Sequence, residues 1–156
     1  MVHIKELLRY NEIVRHRYFE SFIKLSWDEF TKNREASFNS IRNIFVHTLS
    51  AIDYWLDFLQ KENLRSKRKF EEYNTFDEVR AYMEHVEKRT QDYLDSLSNK
   101  ELQKTYPITG EDHKTTKLTA EDILVHVFEE VHHRGELIAL FWQMGLDPPS
   151  MGWKGL

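Results

Sequence analysis

Cysteine is absent from this chain of 156 residues. Disulfides, thiolate nucleophiles, thiolate zinc sites and iron–sulfur clusters are excluded with it. Proline and glycine are sparse, at three and five residues, and Gly145, Pro148, Pro149, Gly152 and Gly155 crowd into the last dozen positions. The rest of the chain is nearly free of helix breakers, which argues against an all-β fold and its many tight turns. No apolar run approaches the roughly 18 residues that a membrane span needs. A concentrated basic face is missing too. Net charge is −4 with histidine neutral, and the one basic cluster, Arg65 to Lys69, is followed at once by Glu71 and Glu72. That cluster reads as a solvated loop, and nucleic acid is not an expected partner.

What the chain does contain is a balance of 40% hydrophobic and 31% charged residues, the mix of a folded, water-soluble protein rather than a disordered one. Its length suits a single domain over residues 1–156 that buries about two-thirds of its unfolded surface. The first residues, Met1-Val2-His3-Ile4-Lys5-Glu6, carry charge where a signal peptide carries an apolar stretch. The expected location is the cytoplasm.

Four stretches carry helical periodicity. Ile4, Leu7, Leu8, Val14, Tyr18 and Phe22 place a first helix over about 3–24, followed by a connector in which Ser26-Trp27-Asp28-Glu29 resembles a capping box. Ile41, Ile44, Phe45, Thr48, Ile52, Trp55, Leu56 and Leu59 form the broad apolar face of a second helix over about 37–59. A charged loop leads to Thr75, an N-cap with Asp77 and Glu78 in the first turn, and to a third helix that ends near Leu97. The pattern then breaks over 98–118, where Tyr106-Pro107-Ile108-Thr109-Gly110 and the Thr-rich strip after it predict a loop or short hairpin. Thr119 and Asp122 form a capping box, Gly145 stands where a helix-ending glycine belongs, and the spacing predicts one continuous last helix of about 25 residues between them. The expected fold is all-α, an up-down four-helix bundle with a loop or hairpin excursion before the last helix.

The chemistry concentrates in that last helix. Of eight histidines, His3, His16, His85 and His113 have no evident partners and read as surface or structural residues. The run His126-Val127-Phe128-Glu129-Glu130-Val131-His132-His133-Arg134-Gly135-Glu136 is different. At about 100° per residue, His126, Glu130 and His133 fall within roughly 60° of one another, with Glu129 at the edge of that face. Ile123, Leu137, Leu140 and Phe141 share the direction, so the stripe points inward. Burying imidazoles and carboxylates is costly unless they are paired. A polar network of mutual hydrogen bonds answers that cost, and so does a divalent metal that takes histidine nitrogen and carboxylate oxygen together. A third ligand must come from another helix, and His47, in the apolar segment Phe45-Val46-His47-Thr48-Leu49, is the residue available. On the residues alone the network and the metal stand level.

Val131-His132-His133-Arg134-Gly135-Glu136-Leu137, with His47 upstream and Trp142-Gln143-Met144-Gly145-Leu146-Asp147-Pro148-Pro149 downstream, resembles the DinB family across the whole helix layout. The resemblance implies a four-helix bundle in which a second-helix histidine and a His-x-x-x-His pair ending at His-Arg-Gly hold a divalent ion: zinc, nickel, manganese or iron. His47 and His133 match two of those ligands. The remaining family histidine falls at Glu129, a competent carboxylate ligand; His126 one turn earlier, or Glu130, is the alternative. Glu136, where the family often has glutamine, reads as a residue that hydrogen-bonds a ligand. The implied activity is that of a metal-dependent thiol transferase or hydrolase, activating a small thiol or water against an electrophilic small molecule. Glu130, or Glu129 if it is not a ligand, would then be the general base, and Tyr54, Trp55 and Trp142 would line the pocket. The resemblance equally admits a non-catalytic, metal-stabilised or stress-induced interaction protein. It also implies a homodimer.

Overall fold

A computed structural model describes residues 4–60, 69–109, 112–125 and 127–152. His126 and most of the basic cluster 65–69 lie outside the described residues, so the place of His126 as an alternative ligand is not addressed by it. The chain is mostly helical, with one small sheet. In order it forms α1 (Ile4–Phe22), α2 (Trp27–Thr31), α3 (Ile41–Gln60), a 3-10 turn (Phe70–Glu72), α4 (Phe76–Ser96), α5 (Asn99–Leu102), β1 (Thr105–Thr109), β2 (Thr115–Thr119), α6 (Ala120–Leu124) and α7 (Val127–Gln143). Helix α3 packs on α7 and α4, and α1 packs on the same two helices. Among the described residues no helix is long and apolar enough to cross a membrane.

Local signals set most boundaries. Thr75 caps α4 with a complete capping box: its hydroxyl accepts from the Glu78 N–H at 3.2 Å, and Glu78 accepts from the Thr75 N–H at 3.1 Å. Ser26 caps only the short α2, accepting from the Glu29 N–H at 3.1 Å, while the Glu29 carboxylate turns to Lys32 and Arg34. The excursion before the last helices is the antiparallel hairpin β1–β2, with Thr105 opposite Thr119 and Thr109 opposite Thr115. Pro107 is tolerated there because each strand of a two-stranded sheet has a free edge. Tyr106, Ile108 and Leu118 lay the hairpin against an apolar cluster that includes Leu56, Leu59, Leu94 and Ile123.

A larger cluster fills the space among α1, α2, α3, α4 and α7. Phe22 is fully buried at its centre, with ring centroids 5.3 Å from Phe45, 5.4 Å from Phe30 and 6.0 Å from Phe141. Burying one such ring contributes about 1.5–3 kcal/mol, and edge-to-face packing adds to it. This aromatic cluster fixes α3 against α7, and so sets the distance between His47 and His133.

Two expectations need correction. The last helix is not continuous. The capping box at Thr119 starts the short α6, which ends at Leu124, and the Phe128 N–H bonds the Val125 carbonyl three residues back at 2.8 Å. That tight turn precedes α7, so Glu129 and Glu130 sit in a helix's first turn, where the dipole favours carboxylates. Helix α3 begins at Ile41 rather than Ser37. Ser40 accepts from the Asn43 N–H at 3.2 Å as a cap would, while Glu35 (φ 56°) and Asn39 (φ 70°) curl the chain into a loop ahead of it.

The end of α7 is a Schellman motif. The Leu146 N–H reaches the Phe141 carbonyl and the Gly145 N–H reaches that of Trp142, both at 3.0 Å, with Gly145 at φ +71°. A methyl group added at Gly145 or at Gly135, in the exposed middle of α7, would meet nothing within 4 Å. Backbone conformation alone therefore decides the two substitutions, with opposite signs. Gly145→Ala should cost about 1–2 kcal/mol for the left-handed backbone. Gly135→Ala should gain about 0.5–1 kcal/mol, because glycine weakens a helix interior. Urea midpoints of the two variants, one below and one above the parent, check both.

Candidate metal centre

Helices α3 and α7 bring three predicted residues together. His47 Nε2 lies 3.2 Å from Glu129 Oε1, and His133 Nε2 lies 3.4 Å from the same oxygen. The two imidazole centroids are 4.9 Å apart and nearly perpendicular at 83°. Each of the three residues offers a ligand atom, all within 4.8 Å of one another. His133 is buried, His47 is half-buried, and the Glu129 side chain retains 41% exposure. On its open side a concavity of about 300 Å³ is lined by Asp122, Val125, Phe128, Glu129 and His132.

The loop before α3 closes the cluster. Phe38 stacks on His47 with centroids 3.9 Å apart at 21°, and presents its edge to His133 at 5.4 Å. Its neighbour Ser37 donates its N–H to Glu136 Oε1 and its hydroxyl to Glu136 Oε2, both at 2.7 Å. Glu136 Oε2 in turn lies 3.1 Å from His133 Nδ1. The family resemblance pointed to Glu136 as a partner of a ligand. Ser37 and Phe38 carried no such signal, because a loop residue's contact across 99 positions leaves no local pattern.

This chain of contacts fixes a tautomer. Burial pushes the Glu136 carboxyl upward, but the Ser37 donors and His133 outweigh it and hold it below the usual carboxylate range. An ionised Glu136 only accepts, so the proton on that contact belongs to His133 Nδ1. A neutral His133 then turns a bare lone pair at Nε2 toward Glu129. Burial raises the Glu129 carboxyl too, and the His47 hydrogen bond and the field of His133 overcome it, so this group is also held low. A lone pair facing a carboxylate oxygen at 3.4 Å is repulsive, and a divalent ion between them would relieve it.

The spacing fits an ion. Bonds of about 2.0–2.2 Å to nitrogen and oxygen at tetrahedral angles set ligand atoms about 3.3–3.5 Å apart, against the 3.2 and 3.4 Å observed. A carboxylate behind a ligating imidazole is the usual outer partner of such sites. His47, Glu129 and His133 would hold the ion with three protein donors, and Glu129 also lines the concavity.

Glu130 is not with them. Although adjacent to Glu129, it turns to α1 and is buried against Arg15, which donates Nε to Oε1 at 2.9 Å and Nη2 to Oε2 at 2.8 Å. Arg15 also donates Nη1 to Glu87 Oε1 at 2.9 Å, and Arg134 approaches Glu130 at 3.8 Å while bonding Asn11. Burial works against the Arg15 charge, but Glu130 and Glu87 raise its pKa above the ordinary value. His132 is exposed with its ring 5.0 Å from that of His133 and lines the concavity. Of the aromatics expected at the pocket, none of Tyr54, Trp55 and Trp142 lines that concavity.

The profile of the DinB family matches residues 1–154, nearly the whole chain. The chain belongs to the DinB family. Among curated proteins none matches it.

Proposed function

We propose that this protein binds a divalent ion through His47, Glu129 and His133, and that the ion serves a metal-dependent transferase or hydrolase reaction on a small electrophilic molecule. The observation that carries the reading is the convergence of ligand atoms of His47, Glu129 and His133 within 4.8 Å of one another, with Glu136 on the far nitrogen of His133. When bound, zinc, nickel, manganese or iron lowers the pKa of a coordinated water or small thiol, which suits a chain with no cysteine of its own. Glu136 orients His133, Phe38 excludes water from one side of His47, and Phe128 and Val125 offer the concavity an apolar wall. The proton role assigned from sequence to Glu130 passes to His132, since Glu130 is tied to Arg15 while His132 faces the concavity. The helices α1, α3, α4 and α7 we read as an up-down four-helix bundle, working in the cytoplasm. Exposed Phe128, Val131 and Trp142 along α7 are the surface on which we place pairing with a second copy.

Protein purified without an affinity tag should carry about one divalent ion per chain by elemental analysis. Incubated with an electrophile and a panel of low-molecular-weight thiols, it should turn over faster than its chelator-treated form, and His132→Ala should reduce turnover without releasing metal. Metal without turnover on thiols or water would leave the non-catalytic, metal-stabilised reading. A native chain that holds no ion at this cluster would end both.

A further inference from the structure

Among the described residues a second group of His and Glu side chains converges, away from α3 and α7, in the groove between α1 and α4. We propose that Glu12 and His16 of α1, with Glu87 of α4, form a second divalent-cation site, distinct from the one at His47 and independent of it. Glu12 and His16 are one turn apart and project from the same face of α1. His16 Nε2 lies 2.9 Å from Glu87 Oε2, and ligand atoms of all three residues fall within 4.8 Å of one another.

Glu87 is the anchor. It is more than nine-tenths buried, and Arg15 Nη1 holds its Oε1 at 2.9 Å, which leaves Oε2 presented to His16. Glu12 is positioned in the same manner, accepting from Gln91 Nε2 at 2.8 Å. Each carboxylate thus has the outer hydrogen bond that orients a metal ligand. Arg15 does not replace the ion, because two of its nitrogens are committed to Glu130. Two carboxylates and one imidazole are donors for a borderline ion such as Zn²⁺ or for Mn²⁺. The groove of about 620 Å³, lined also by Lys5 and Asp95, gives solvent access to the remaining coordination positions. This exposure makes the site weaker and more exchangeable than the one on α3 and α7. His16 has no evident partner within its own helix because the carboxylate it meets lies 71 positions away on α4.

The test is a Zn²⁺ titration of the chelator-stripped 156-residue chain, read by native mass spectrometry and by competition with a chromophoric chelator. Two ions per chain are expected. His16→Ala should abolish the weaker one, Glu12→Gln should weaken it by about tenfold or more, and His47→Ala should remove only the other. The His16 side chain is 46% exposed, so unchanged circular-dichroism melting of its variant is expected and separates ligand loss from unfolding. If His16→Ala binds as many ions as the native chain, with the same affinities, the site does not exist. One native ion, lost in His16→Ala and kept in His47→Ala, would uphold this site while overturning the one proposed above.

Discussion

His133→Ala should abolish the stability that an ion at His47, Glu129 and His133 contributes to this protein. An ion held at this cluster would stabilise the native chain by mass action, by about 2.7 kcal/mol when free metal stands at 100 times Kd. For a domain of this size that corresponds to a Tm higher by about 5–10 °C. The variant loses the Nε2 donor that faces Glu129, so in a His16→Ala background, which empties the groove between α1 and α4, chelator should leave its melting unchanged. Substitutions at Glu136 grade the effect. Glu136→Gln keeps an acceptor for His133 Nδ1 and for Ser37, whereas Glu136→Ala removes it and frees the ring to rotate. Metal affinity should fall in the order native, Glu136→Gln, Glu136→Ala, with a spread of about 10–100-fold. Differential scanning calorimetry with and without chelator, and isothermal titration of each variant, measure both. A native melting curve indifferent to chelator would rule out an ion at this cluster.

The parts of this site that could be read in the sequence are those written in local patterns. The capping box at Thr75 and the glycine at Gly145 depend on neighbours within a turn, and both stand in the structure as the residues imply. His133 and His47 were legible because each is a polar residue on an apolar stripe. The break at Val125 was not legible, since no proline or glycine marks it and apolar periodicity runs across it. The different destinations of Glu129 and Glu130 were hidden for a related reason. Neighbours on a helix point about 100° apart, and which direction meets α3 and which meets α1 depends on where those helices lie. Arg15 shows the limit most plainly. An arginine beside His16 and Arg17 in an amphipathic helix reads as solvated surface, yet only 5% of it is exposed. Its role appears once Glu87 and Glu130 arrive from distant segments.

That buried arginine makes the largest stability prediction. Arg15→Met removes the cation between two carboxylates whose side chains are 8% and 7% exposed, leaving Glu87 with His16 and Glu130 with the more distant Arg134. Stranding buried charge in this way costs about 3–5 kcal/mol. At about 2–4 °C per kcal/mol, the Tm should fall by roughly 6–20 °C. Glu130→Gln should cost less, because Arg15 keeps Glu87 and the carboxamide still accepts one hydrogen bond. Adding Glu130→Gln to Arg15→Met should then cost little further, since the charge it removes is already unpaired. Thermal melts of the two singles and the double give a coupling energy that additive, independent roles would not produce. The same Glu130→Gln protein separates structure from chemistry. A residue that clamps α7 to α1 should lower Tm while turnover per folded molecule stays near native, whereas a general base would lose turnover by about 10²–10⁴-fold at nearly unchanged Tm. The bidentate contact to Arg15, at 2.9 and 2.8 Å, favours the first outcome, because a carboxylate with both oxygens turned to a buried guanidinium is not within reach of a substrate proton.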